Sequence, residues 1–264
     1  MDSSCKVHFG DNLAYMKTLA DGSIDFIYVD PPFFSAADYY TRKGSKAYGD
    51  RWQGGMDQYL AMLRPRLEEM KRLLKDSGSI AVHLDWHASH YVKVMMDEIF
   101  RADRFINELI WAYKSGGATG RHFARKHDTI LVYAKGPDYY FRTQKERSYN
   151  REGRPYRFKG VEEFQDEEGK WYTMVNRKDV LYVDMVGRTS SERTDYATQK
   201  PQALLDILLE SLCPADGVCA DFFAGSGTLG ACALESGRDC ILCDSSREAV
   251  DTILDRLGMF VREV

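Results

Sequence analysis

The chain has 264 residues, 44% of them hydrophobic and 29% charged, with a formal net charge of −4. That length suits one large domain, or one domain carrying an insertion, and the apolar fraction supports a sizeable core. No apolar run approaches the roughly 20 residues that a membrane span needs. The N-terminal MDSSCKVHFGDN lacks the basic start and apolar core of a secretory signal, so a cytoplasmic protein with no membrane partner is expected.

In chain order, KVHFGD predicts a short strand ending at Gly10, NLAYMKTLA a short helix stopped near Asp21-Gly22, and SIDFIYVD a second strand. Residues 34 to 55 are polar, glycine-containing and aromatic, which predicts a long mobile loop. In MDQYLAMLRPRLEEMKRLLK, Tyr59, Leu60, Leu63, Leu67, Met70 and Leu74 share a helical face, and Pro65 is expected to bend or restart the helix. SGSIAVHLD predicts a third strand after a Ser-Gly turn. A helix over 91–100 and strands at FINELIWAY and DTILVYAK follow. Periodicity weakens from about 142 to 197, the expected insertion. KPQALLDILLESLC is then an amphipathic helix, DGVCADFF a strand, TLGACALES a helix ended by Gly237, RDCILCD a strand and REAVDTILDRL a last helix. Alternating strands and helices call for a mostly parallel sheet covered on both faces.

Two stretches carry chemistry. VDPPFF closes an apolar strand on a carboxylate, two prolines and two aromatics. Prolines end a strand ladder because they have no N–H to donate, and a carboxylate at a strand's C-terminal mouth sits where open α/β sheets bind ligands. CADFFAGSGTLG runs an apolar strand into Gly225-Ser226-Gly227 and opens a helix near Thr228. Glycines there permit a tight turn and close backbone approach to a ligand. The next strand ends on Asp244, where a mononucleotide-binding unit places an acid for ribose hydroxyls. A nucleotide loop ordinarily belongs to the first strand of such a fold; here it comes near the end, so the order looks circularly permuted.

From Lys114 to Lys159 there are twelve basic residues against four acids, interleaved with Tyr139, Tyr140, Phe141, Tyr149, Tyr156 and Phe158. A solvated face is the plain interpretation; phosphate contacts and base stacking suit the same composition. Of the six cysteines, Cys240 and Cys243 form a CxxC inside an apolar strand. No second CxxC accompanies them, so small core residues are expected, with metal and redox roles as alternatives. LDWHASH holds no ligand set at zinc spacing, and no metal is expected. His127-Asp128, at a strand start, either borders a pocket or caps the strand.

VDPPFF together with DFFAGSGT resembles the amino-methyltransferases of DNA, and the order of the two motifs is similar to that of the family's β class. The resemblance covers most of the chain and is weakest over about 140–185. It implies a permuted Rossmann-like fold with a mostly parallel seven-stranded sheet. It divides the single domain into a catalytic half (1–140), a target-recognition insertion (about 141–196) and a cofactor-binding half (197–264). It further implies transfer of methyl from S-adenosylmethionine to the exocyclic N6 amine of an adenine flipped out of duplex DNA. The carboxylate of Asp30 and the Pro31 carbonyl would accept the amine hydrogens, Pro31 and Pro32 would fix that carbonyl, and Phe33, where the family usually has Tyr, would stack on the base. Phe223, Ala224, Gly225, Ser226, Gly227 and Thr228 would wrap the methionine end of the cofactor, with Asp221 beneath and Asp30 bordering it. Asp244 and Ser245 would hold the ribose, Asp11 and Asn12 the adenine edge, and Lys200 with Thr198 the methionine carboxylate. For Asp221 and Lys200 the alternatives are a solvated strand-end acid and helix solvation. Lys114, Arg121, Arg125, Lys126, Arg142, Lys145 and Arg147 are the expected DNA contacts. Asp30 favours adenine, because cytosine-N4 members more often carry Ser there. Cytosine-N4 transfer, RNA methylation and a non-catalytic nucleic-acid-binding subunit are the alternatives. A homodimer and a separate restriction endonuclease are the partners this resemblance admits, in a bacterial or phage-like setting.

Overall fold

The computed structural model describes residues 3–35, 38–40, 46–117, 120–194 and 196–264. The first part of the chain forms β1 (Cys5–Phe9), α1 (Asn12–Met16), β2 (Ile24–Val29), β3 (Asp38–Tyr40), β4 (Lys46–Gly49), α2 (Gly55–Leu73), β5 (Leu74–Leu84), α3 (Ser89–Phe100), β6 (Phe105–Ala112) and β7 (His127–Ala134). The second part forms β8 (Lys145–Tyr149), β9 (Glu163–Gln165), β10 (Trp171–Asn176), β11 (Val180–Tyr182), α4 (Gln202–Leu212), β12 (Val218–Asp221), α5 (Thr228–Glu235), β13 (Asp239–Asp244), α6 (Arg247–Leu257) and β14 (Val261–Glu263).

A nine-stranded sheet in the order β11-β6-β7-β5-β2-β12-β13-β1-β14 organises the molecule. Only β7 runs against its neighbours β5 and β6. The expected architecture holds, but the expected seven strands become nine. Three-residue β14 adds beside β1 and three-residue β11 beside β6. Strands that short carry too little apolar alternation to stand out in sequence. β11 also lies inside the expected insertion of 141–196, so that segment is not wholly outside the sheet. Its remainder builds a separate antiparallel sheet, β8-β10-β9.

Every residue of β2 is buried, as a strand covered on both faces requires. One core cluster gathers α4, α5 and α6 with Phe26, Trp111 and Cys219; the other gathers α1, α2 and α3 with Ile27, Val82 and Phe222. All six cysteines are free and buried. Among the described residues no helix is long and apolar enough to cross a membrane.

Three local expectations are corrected. α2 runs unbroken through Pro65. A proline inside a helix costs about 3 kcal/mol, whereas burying Tyr59, Leu63, Leu67, Met70 and Leu73 stabilises by about 1.5–3 kcal/mol each, so packing wins. β5 begins at Leu74, before the Ser-Gly pair, with an irregular register against β2 between Ile24 and Phe26. The segment 34–55, expected as a mobile loop, contains the β3–β4 ribbon in its described part, while residues 36, 37 and 41–45 lie outside the described residues. Its two ends are tied together by the fully buried Asp50. That carboxylate accepts hydrogen bonds from the Phe34 and Ser35 N–H groups (3.0 and 2.6 Å), from Ser35 Oγ (2.7 Å) and from Trp52 Nε1 (2.8 Å).

The sheet places its carboxylates in a row. β1, β13, β12, β2 and β5 are parallel, so their C-terminal ends share one edge, and antiparallel β7 starts at that edge. Asp11, Asp244, Asp221, Asp30, Asp85 and Asp128 stand at or just beyond those six ends. From β2 the chain crosses to β5 on one side, and from β12 to β13 on the other. The reversal between β2 and β12 is the crevice where open α/β sheets bind ligands.

Candidate active site

A cavity of about 550 Å³ opens at that reversal. Its wall includes Asp11, Asn12, Asp30, Pro31, Pro32, Phe33, Thr198, Lys200, Asp221, Phe223, Ala224, Gly225, Ser226, Thr228, Asp244 and Ser245. All of these were expected as site residues, and they come from both ends of the chain. Gly227 does not line the wall. It caps α5 in a left-handed conformation (φ +70°) with its Cα turned to Ile253. Arg66, Trp52, Met62, Trp111, Tyr113, Met185, Tyr196 and Gln199 also line the cavity and were not expected. Asp128, placed by sequence either at a pocket border or at a cap, is on the wall. Nothing in the spacing of α2 marks Arg66; it is identified by its partners.

The chain after β2 delivers Asp30 to the floor. Asp30 Oδ2 pairs with Lys200 Nζ, and the two side chains are only 18% and 10% exposed. Asp30 Oδ1 is buried and has no hydrogen-bond partner. An ionised carboxylate oxygen is an acceptor only, and burying it unsatisfied costs free energy, so this atom calls for a donor. Lys200 Nζ also lies 5.2 Å from the centre of the Phe33 ring. This corrects the solvated-helix alternative for Lys200: its ammonium is held inside the site, on Asp30.

Asp221 is likewise not a solvated strand-end acid, being only 4% exposed. Burial pushes its pKa well above the usual carboxylate range. The Phe223 N–H donated to it works the other way, and the charges of Asp30 and Asp244 add to the rise. Asp244 is raised too, by burial, against hydrogen bonds from backbone N–H groups including those of Ser246 and Gly225. The Gly225 N–H donates to Asp244 Oδ2 at 2.8 Å, so the carboxylate holds the glycine loop's turn. A Cβ on Gly225 (φ +51°) would lie 3.3 Å from the Tyr196 ring, and one on Gly227 2.8 Å from Ile253 Cγ1. Both positions therefore need glycine for conformation and for space.

Asp11 and Asn12 sit at the start of α1 and do more than face the cavity. Asp11 caps the helix by accepting from Ala14 N–H at 2.9 Å, and Asn12 Nδ2 donates to the Phe222 carbonyl at 2.6 Å. Arg66 braces both, with Nε to Asn12 Oδ1 and Nη2 to Asp11 Oδ2, each at 2.6 Å. The β1 end is thereby locked to the β12 end.

A buried polar chain backs the Phe33 side. His83 Nε2 lies 3.3 Å from Asp128 Oδ2, His83 Nδ1 lies 2.8 Å from Tyr28 Oη, and the Tyr113 hydroxyl donates to Asp128 Oδ1 at 3.1 Å. Burial tends to raise the pKa of Asp128, but the His83 hydrogen bond and charge, Lys200 and Tyr113 hold it below the usual range. With Asp128 ionised, Nε2 carries the proton pointing at it, and Nδ1 shares a hydrogen bond with the Tyr28 hydroxyl. The His83 ring is fully buried, 5.8 Å from Phe33 and edge-on to Trp111.

The wall therefore presents carboxylates at Asp11, Asp30, Asp128, Asp221 and Asp244 against the cations Arg66 and Lys200. Such a site suits a ligand that carries positive charge and polar hydrogens. The expected DNA contacts divide in two. Lys114, Arg121, Arg125 and Lys126 lie between β6 and β7, beside the cavity wall at Tyr113. Arg142 donates its backbone N–H to the Ser211 carbonyl in the last turn of α4, the end remote from Lys200. Lys145 Nζ donates to Asn176 Oδ1, and Arg147 lies over the Tyr172 ring. These last two serve the small sheet.

A family model described as DNA methylase, covering the N6 and N4 methyltransferases, matches residues 24–255. Type II methyltransferase M.KpnI from Klebsiella pneumoniae is 34% identical over 137 residues, which are 50% of this chain and 33% of M.KpnI. The chain thus matches about a third of the length of that relative. Among solved structures, the PvuII DNA methyltransferase (cytosine-N4-specific) superposes with a TM-score of 0.68 at 15% identity, over 97% of this chain and 87% of that one. The M1.HpyAVI–SAM complex superposes with a TM-score of 0.63 at 17% identity, over 97% of this chain and 100% of that one. At such identities the superpositions speak for the fold.

Proposed function

The chain belongs to the N6/N4 DNA methylase family, and we propose that it transfers the methyl of S-adenosylmethionine to the exocyclic N6 amine of an adenine flipped out of duplex DNA. The observation that carries this proposal is the partnerless, buried Asp30 Oδ1 on the cavity floor, beside Pro31 and Phe33. An exocyclic amine offers two hydrogens and a lone pair delocalised into its ring. Accepting one hydrogen at Asp30 Oδ1 and the other at the Pro31 carbonyl favours a pyramidal nitrogen whose lone pair can attack. Lys200 on Oδ2 fixes the carboxylate's rotation and leaves Oδ1 for the amine. One amine proton leaves the nitrogen along the Asp30 hydrogen bond, and Phe33 supports the base ring.

The residues present fit the cofactor. The glycine loop holds two positive-φ turns with no room for a Cβ, an acid-rich wall suits a cation, and each oxygen of Asp244 keeps lone-pair capacity beyond its backbone bond. Ala224 to Thr228 and Asp221 would hold the methionine end, Asp244 and Ser245 the ribose, and Asp11 and Asn12, braced by Arg66, the adenine edge. Lys200 has donors beyond the one on Asp30 for the methionine carboxylate. When bound, this cofactor supplies an electrophilic methyl whose leaving group is a neutral thioether. The small sheet within about 141–196 and the basic segment 114–126 are assigned to the duplex.

The test is methyl transfer from labelled S-adenosylmethionine to unmethylated genomic DNA, with RNA in parallel, followed by digestion to nucleosides. Labelled N6-methyladenine is the expected product. N4-methylcytosine, the product expected of a cytosine-N4-specific enzyme such as the PvuII methyltransferase, would keep the amine chemistry and overturn adenine. Label in RNA alone would overturn the DNA assignment.

A further inference from the structure

The segment joining β6 to β7 leaves the cavity wall at Tyr113 and returns at Lys126, where the Tyr113 N–H donates to the Lys126 carbonyl at 3.0 Å. Tyr113 and Asp128 line the cavity, so this neck stands at its rim. Between Lys114 and Lys126 the sequence carries Lys114, Arg121, Arg125 and Lys126 and no acid. Among these cations the Phe123 side chain is 98% exposed. It lies three residues from Lys126, hence within about 10 Å of the neck along the chain.

The base of this projection is braced. The Arg125 guanidinium lies 3.9 Å over the Trp86 ring, which itself lies 3.7 Å from the His87 ring just beyond the end of β5. Lys126 Nζ is turned inward, donating to the Ser115 carbonyl (2.7 Å), Ser115 Oγ (2.8 Å) and the Gly116 carbonyl (2.7 Å). Lys126 therefore ties the neck and is not presented to phosphate, whereas Lys114 and Arg121 are exposed. An aromatic ring in water, flanked in sequence by cations and carried on a segment rooted at the rim of the cavity, has the chemistry of a wedge that unstacks a duplex.

We infer that Phe123 enters the DNA duplex beside the target base and fills the stack while that base occupies the cavity. This rests on the DNA-amine reading above. Cations of the same segment meet the backbone phosphates, so the ring is drawn to a duplex and not to an apolar protein surface. Extrusion of a paired base is the step that Phe123 assists; amine attack at Asp30 is untouched by it.

The experiment uses the full chain and its mapped methylation site. Synthetic duplexes carry the target base either correctly paired or opposite an abasic position, and single-turnover rates are compared for wild type, Phe123→Ala and Phe123→Trp. Phe123→Ala is expected to be at least about tenfold slower on the paired duplex and within about threefold of wild type opposite the abasic position, where extrusion costs less. Phe123→Trp should restore most of the paired-duplex rate, and cofactor affinity should be unchanged in both variants. Equal rates for Phe123→Ala and wild type on the paired duplex overturn the inference, as does an equal loss on both duplexes, which would mark a structural or phosphate role. Wild type that binds cofactor and methylates no DNA would instead overturn the functional reading, and the wedge with it.

Discussion

Replacing Asp30 by Asn tests the amine-acceptor role more sharply than removing the side chain, because Lys200 dictates which way the new amide points. Lys200 Nζ is a donor on the Oδ2 position, with the two side chains 10% and 18% exposed. An amide there must turn its oxygen to the ammonium, which puts its NH2 where the partnerless Oδ1 now lies. A donor would then face the hydrogens of the target amine. Losing a hydrogen bond to a charged acceptor costs about 1.5–3 kcal/mol, and an opposed buried donor adds about 1–3 kcal/mol. At about 1.36 kcal/mol per decade, the methyl-transfer step should slow by roughly 10²–10⁴-fold. Asp30→Ala removes the acceptor and the partner of Lys200 but opposes no donor to the amine, and should be the faster of the two single variants. The double variant Asp30→Asn, Lys200→Met frees the amide to turn its oxygen to the amine and should recover about tenfold over Asp30→Asn. The assay is single-turnover transfer to DNA at saturating labelled cofactor, with cofactor affinity measured separately by calorimetry. Asp30→Asn at the wild-type rate would refute the acceptor role. A double variant no faster than Asp30→Asn would refute the claim that Lys200 sets the orientation.

Further consequences follow from the same geometry. Gly227→Ala puts a Cβ 2.8 Å from Ile253 Cγ1 at φ +70° and should weaken cofactor affinity at least about tenfold. Gly237→Ala, at φ +76° with nothing within 4 Å, should change only stability; equal affinity losses in calorimetry would count against the loop's role. Asp221, its pKa raised chiefly by burial, favours the fold most below its unfolded pKa of about 3.9, and that contribution is lost as pH rises through its higher folded value. Asp221→Asn should therefore raise Tm by at least about 2 °C at pH 8, with the gap closing toward pH 4, while weakening cofactor binding; a pH-independent gap would contradict this. Tyr28→Phe strands the Nδ1 of a fully buried His83 at a cost of about 1–3 kcal/mol, and Tm should fall by roughly 3–10 °C. An unchanged calorimetric Tm would show that Nδ1 needs no hydrogen-bond partner there.

Much of the site was legible because its residues close apolar strands. VDPPFF, DFFAGSG and CILCD each end a buried run on a carboxylate, and parallel pairing alone brings such ends to one edge. What the sequence leaves open is which strand neighbours which. Asp30 and Asp221 lie 191 positions apart, yet they stand at the ends of adjacent strands β2 and β12, where the charge of Asp30 adds to the rise of the Asp221 pKa. Lys200 is expected in the site by resemblance, with helix solvation as the alternative, but its pairing with Asp30 comes only from the fold. Arg66 reads as one more charge on α2 until the β1 end meets it. The cations of 114–147 show the converse: one composition, two destinations, because the helix that Arg142 packs on ends away from the cavity.

That division also explains how a family-like motif order can accommodate the small sheet, β8 to β10, which is only part of the expected insertion of 141–196. The carboxylate row is fixed by the sheet, by Asp50 tying down the chain after Phe34, and by Arg66 and Lys200 reaching across strand ends. None of those ties passes through the β8-β10-β9 sheet, whose strands, among the described residues, pair with one another. Among the described residues it is tied at its root to α4, by Arg142 N–H to the Ser211 carbonyl and by Gln144 to the Ile207 carbonyl and Ser211 Oγ. A surface attached in that way can change its face without moving Asp30, which is the physical condition for one chemistry to serve different target sequences.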